Sequence, residues 1–158
     1  MRPLVAIVYD SRVDKLSKVM SLFKYITPNG ATPEGLAFEP IIDEMVVGKK
    51  GEMESIFLNL SDGQPCFSAA INNGDGTTSQ FSYGDEVGAE HTAVMVQKMR
   101  SLNIKVLSYI IQYDSEWREN RDWGVFQQCY GKDSRQIDVN NIIQLARTLN
   151  EKFLEKNN

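Results

Sequence analysis

Apolar positions along the chain change spacing several times, and each change marks an element. Leu4–Tyr9 is an unbroken, largely β-branched apolar run that stops at Asp10 and Ser11, the pattern of a strand covered on both faces. The period then lengthens. Leu16, Val19, Met20, Phe23 and Ile26 form one stripe at helical spacing, closed by Thr27, Pro28, Asn29 and Gly30. Thr32 suits an N-cap, Pro33 the first helical position and Glu34 the first-turn preference for acid, so a second helix is predicted there. Pro40 is expected to kink or divide it.

Ser55–Leu60 reads as a second strand, 91–102 as a helix and 103–111 as a third strand. Ile137 ends a short fourth strand, and Val139, Ile142, Ile143, Ala146, Leu149 and Phe153 mark a last helix. Strands alternating with helices predict an α/β fold, a mainly parallel sheet with helices on both faces. Residues 66–90 interrupt this order with alternating apolar and polar positions around Asn72, Asn73, Gly74, Asp75 and Gly76, which predicts a hairpin or extended loop. Met20, Met45, Met95 and Met99 fall in predicted helices and are assigned to core packing.

A chain of 158 residues without internal repeat or linker is expected to form one domain, 1–158, able to bury a core without staples. Hydrophobic residues at 42% and charged residues at 24% are globular proportions. The net charge of −4 disfavours broad nucleic-acid binding. Leu4–Tyr9 is too short for a signal-peptide core or a membrane span, so no membrane association is expected. Cys66 and Cys129 form no Cys-x-x-Cys pair, and both are expected to be reduced core thiols of a cytoplasmic protein.

In an open parallel sheet, ligands bind beyond the carboxyl ends of the strands, where helix N-termini point donors outward. Thr32 opens a predicted helix and Asp62 follows a predicted strand, so a hydroxyl and a carboxylate are expected to meet at that edge. Such oxygen donors suit Mg²⁺. The same residues also serve as an N-cap and a turn.

Several blocks together resemble a von Willebrand factor type A (VWA) domain of the cobalt-chelatase-like kind. They are Val5–Asp10, Gly30–Ala37, Phe57–Pro65, His91–Thr92 with Val96, Met99, Arg100 and Ile104, and the closing Tyr130–Gly131. The resemblance covers nearly all of the chain and implies a Rossmann-like fold and a metal-ion-dependent adhesion site binding magnesium. That site combines Asp-x-Ser-x-Ser after the first strand, a Thr in a Gly-x-Thr loop and an Asp after a later strand. Only Thr32 and Asp62 carry over, because Asp-x-Ser-x-Ser is absent. Leu4–Tyr9 resembles the family's third strand, so the chain looks like the later part of such a domain, incomplete at its N-terminus.

The missing first strand is central in the family, and its loss would leave apolar faces and backbone groups uncovered. Three replacements are open: Leu4–Tyr9 moves inward, a second copy donates a strand in an exchanged homodimer, or a separate protein supplies the missing part. In the first case Asp10 and Ser11 approach the place of the lost motif without reproducing its spacing.

Residues 116–123 mix aromatics with charges just past the third strand, and Trp117, Arg118 and Trp123 suit a protein-binding hot spot. The competing reading turns both tryptophans inward. The segment from Asp75 to Glu86 has oxygen donors near calcium-loop spacing, but Gln80 occupies the place where that loop requires Gly. His91 is the only histidine, and no nucleophile–base pair is evident. The leading expectation is a non-catalytic, intracellular protein-interaction domain. One alternative is an accessory subunit of a chelatase-like complex with a ring-forming ATPase; the chain has no phosphate-binding loop of its own. Another is a separately made fragment that regulates or assembles with a full-length VWA protein.

Overall fold

The computed structural model describes residues 13–25, 31–48, 55–61, 64–112, 119–138, 143 and 147. In chain order its elements are α1 (Leu16–Leu22), a 3-10 turn (Phe23–Tyr25), α2 (Glu34–Gly48), β1 (Ser55–Ser61), β2 (Phe67–Asn72), β3 (Thr78–Tyr83), α3 (Asp85–Ser101), β4 (Ile104–Gln112), α4 (Glu119–Tyr130) and β5 (Arg135–Asp138). The expected strand Leu4–Tyr9 lies outside the described residues, as does most of the expected C-terminal helix, of which Ile143 and Arg147 are helical.

β1, β4 and β5 form a parallel sheet in that order. Each connection advances one strand in the same direction, and right-handed crossovers then put α3 and α4 on one face. The core records this. Phe57 of β1 and Ile104, Val106 and Ile110 of β4 pack with Phe38 and Ile42 of α2, Met95, Val96 and Met99 of α3, and Phe126 and Tyr130 of α4. The predicted α/β class with parallel strands therefore holds. On the other sheet face Tyr109 and Ile137 are buried, whereas Leu58 and Leu60 are exposed.

The strands after residue 54 fall where hydrophobic spacing places them, and residues 67–83 form the expected hairpin, β2 pairing antiparallel with β3. Four details differ. First, α3 begins at Asp85 instead of near His91, because its first turn, Asp85–Gly88, carries few large apolar residues to announce it. Second, α2 runs through Pro40 undivided. Phe38 and Ile42, on either side of the proline, are both buried, and this packing outweighs the loss of one backbone donor. Third, Met95 and Met99 are buried and Met45 packs against the core, but Met20 is 62% exposed, since α1 contributes no buried residue. Fourth, Cys129 is a core thiol while Cys66 is exposed, and both are free. No described helix is long and apolar enough to cross a membrane.

Candidate functional site

The start of α2 meets the chain beyond β1. Thr32 and Cys66 form an antiparallel bridge: the Thr32 amide donates to the Cys66 carbonyl at 2.6 Å, and the Cys66 amide donates back at 2.9 Å. The first intrahelical bond of α2 runs from the Ala37 amide to the Pro33 carbonyl, so the cap position falls on Pro33 instead of Thr32. With both backbone groups held by Cys66, Thr32 stays in extended geometry and the helix starts later. Pro65 is fully buried against Gly88 of α3, where an added Cβ would stand 3.1 Å from both the proline Cβ and its carbonyl oxygen. The N-terminal turns of α2 and α3 thus converge where β1 ends.

Below this rim lies a buried polar chain. Glu34, the first helical residue of α2, is only 6% exposed and sits where the helix dipole favours a carboxylate. The Tyr130 hydroxyl of α4 donates to Glu34 Oε2 at 2.9 Å and accepts from Asn59 Nδ2 of β1 at 2.8 Å. Ser108 is the registered partner of Asn59 across the sheet, and its buried hydroxyl has no hydrogen-bond partner among the described residues. Arg100 of α3 donates from Nη2 to the Tyr130 carbonyl at 2.7 Å, a cation closing the C-terminus of α4. Gly131 follows at φ +83°, a left-handed position glycine adopts without strain.

A second polar group fastens α2 to α3. The Tyr83 hydroxyl lies 3.1 Å from His91 Nδ1 and 3.4 Å from Thr92 Oγ1, and it donates to the Gly88 carbonyl at 3.3 Å. Thr92 Oγ1 donates to the same carbonyl at 2.7 Å. His91 Nε2 stands 4.0 Å from Glu39 of α2. Gly35 faces this group so closely that a Cβ would overlap the Tyr83 hydroxyl and lie 2.9 Å from His91 Nδ1.

Burial governs ionisation here. It pushes the Tyr130 hydroxyl far above the ordinary phenol range, and the Glu34 charge pushes the same way. The Cys129 thiol is pushed up to about 12, by burial first and by Glu34 second. Tyr83 is likewise raised, chiefly by burial. Near neutrality Tyr130 therefore remains a donor, and Cys129 remains a thiol instead of a nucleophilic thiolate.

Of the residues singled out by sequence, Thr32 is half-buried at the rim, held by its backbone. Asp62, Asp10, Ser11, Trp117 and Arg118 lie outside the described residues. Ser61, next to Asp62 in sequence, ends β1 and is buried. Trp123 belongs to α4, is half-buried against the core and stacks on Phe126 with ring centroids 6.1 Å apart. Among the described residues no three His, Cys, Asp or Glu side chains gather as a metal-holding group. Thr32 carries a hydroxyl oxygen, the donor type a hard cation takes.

Asn59, Ser108 and Tyr83 escaped sequence reasoning because an isolated polar residue in a strand reads as an outward position. Glu34 registered only as a dipole partner of its helix, and Tyr130 only as the residue before a glycine. A scan against family models, a search of curated proteins and a search of solved structures each return no match to this chain.

Proposed function

We propose that this chain is a non-catalytic protein-interaction domain of the VWA type, acting in the cytoplasm and docking its partner at the carboxyl edge of the parallel sheet. The observation that carries this reading is the Thr32–Cys66 bridge, which joins the start of α2 to the chain beyond β1 where ligands of open α/β sheets bind. Thr32 supplies a hydroxyl at that rim, and Asp62, next after Ser61 in sequence, supplies a carboxylate. These two residues, and Asp10 and Ser11 if the N-terminal strand moves inward, would hold Mg²⁺ in a partial site. Bound there, the ion would supply an open coordination position for a partner carboxylate. Trp123, stacked on Phe126 and half-buried, would extend the docking surface, together with Trp117 and Arg118 on the strength of their sequence.

Calorimetric Mg²⁺ titration of the wild type, Thr32→Ala and Asp62→Ala, together with co-purification from the native host, tests the proposal. Both variants are expected to keep the wild-type melting temperature within a few degrees while losing the co-purifying protein and weakening Mg²⁺ binding about tenfold or more. Wild-type behaviour of Asp62→Ala in both measurements removes the rim from the account.

A further inference from the structure

We infer that Tyr130 is a positioning residue for the rim, its hydroxyl setting where the start of α2 stands relative to the end of β1. The inference rests on the proposed docking role of that rim, but its structural content is independent of what docks there.

Three elements that share no local sequence meet at one phenol oxygen. Asn59 of β1 donates to it at 2.8 Å, and it donates to Glu34 of α2 at 2.9 Å. The ring is 1% exposed and packs on Phe126 at a centroid distance of 4.6 Å, which restricts its movement. The residue's own carbonyl is held by Arg100 at 2.7 Å, so Tyr130 is tied down at its backbone and at its tip. The tip can therefore act as a fixed post.

From that post the geometry continues outward in both directions. Glu34 is the first residue of α2, and its amide donates to the Thr32 carbonyl at 2.9 Å. That carbonyl also accepts from Cys66. Asn59 lies in the last turns of pleat of β1, ahead of buried Ser61. The strand and the helix start that frame the rim thus share a bonding partner in one hydroxyl. Hydrogen bonds to a charged carboxylate are stronger than neutral ones, so the loss of the Tyr130 donor weakens the hold on the buried Glu34 side chain. Removal of the hydroxyl breaks the link from Glu34 to Asn59 of β1 while leaving the aromatic packing in place. The Tyr83 group, which holds Gly35 against α3, does not substitute, because it makes no bond to β1 among the described residues.

The test is site-resolved amide hydrogen exchange on the full chain, comparing wild type, Tyr130→Phe, Glu34→Gln and Glu34→Ala. In Tyr130→Phe the Thr32 and Cys66 amides are expected to exchange about tenfold faster, with Phe57 and Val106 as protected as before. Glu34→Gln keeps an acceptor for the phenol and is expected to retain protection at Thr32 and Cys66, whereas Glu34→Ala loses it. Unchanged exchange at Thr32 and Cys66 in Tyr130→Phe overturns the inference. Equal acceleration at Phe57 and Val106 overturns it too, since Tyr130 would then be only a packing residue. If Tyr130→Phe does not fold, the Glu34→Gln and Glu34→Ala pair decides, and identical protection in the two overturns the inference. A parallel MgCl₂ titration keeps the docking proposal separate: a wild type that ignores Mg²⁺ and Asp62 counts against that proposal while the exchange result still judges Tyr130.

Discussion

Gly35 shows how one residue constrains the site. Its Cβ position is already occupied by the Tyr83 hydroxyl, with His91 Nδ1 at 2.9 Å and the Thr92 amide at 3.0 Å. Gly35→Ala must push α2 away from α3 or break the Tyr83 group, and overpacking of this kind costs about 1–3 kcal/mol. Urea denaturation should show the midpoint falling with an unchanged slope, and a variant as stable as wild type would show that the helices yield freely. At this scale the sequence was partly readable. Thr32 and Glu34 stood out as helix-start residues, but the bridge that moved the cap to Pro33 depends on Cys66, which no local pattern links to Thr32.

At the scale of elements, α2 carries a local conflict. A proline within a helix removes a backbone donor and crowds the preceding turn, yet the helix persists from Glu34 to Gly48 because Phe38 and Ile42 are anchored in the core. Pro40 itself is exposed. Pro40→Ala is therefore expected to stabilise the chain by up to about 3 kcal/mol, the propensity difference between the two residues in a helix interior. Thermal melting checks this, and a lowered melting temperature would mean that the proline serves the fold. The hairpin was legible for a different reason. Its alternation puts Phe67, Ala69, Ile71, Phe81 and Tyr83 on one face, and glycines 74 and 76 take the positive φ values its turn requires. The α1 stripe misled because periodicity reports which residues share a face and carries no information on whether that face is covered.

The molecule as a whole responds to pH through its buried core. Cys129, Tyr130 and Tyr83 all ionise at higher pH in the folded chain than in the unfolded one, mainly because burial disfavours their anions. The unfolded thiol gives up its proton near its ordinary 9.0 and the folded one only at about 12. Between those values the unfolded state holds fewer protons, so stability is full below about pH 9 and declines as pH rises through that window. Melting temperatures measured at pH 8 and pH 10.5 should fall for the wild type. They should fall less for Cys129→Ala, which removes one of the coupled groups, and equal slopes would exclude the thiol as a contributor.

What the chain determines by itself is local: the spacing of apolar residues is enough to assign β1, β4 and the hairpin, because side-chain direction follows backbone period at each position. Cysteine spacing and net charge likewise need no structure. The polar core is another matter. Asn59 and Tyr130 are 71 residues apart and Tyr130 and Glu34 are 96 apart, and no local pattern links any one of them to the others. Only the packing of α2, α3 and α4 onto one sheet face brings them together, burying Glu34 and Tyr130 and half-burying Asn59, and that packing turns three ordinary polar side chains into a connected chain beneath the rim.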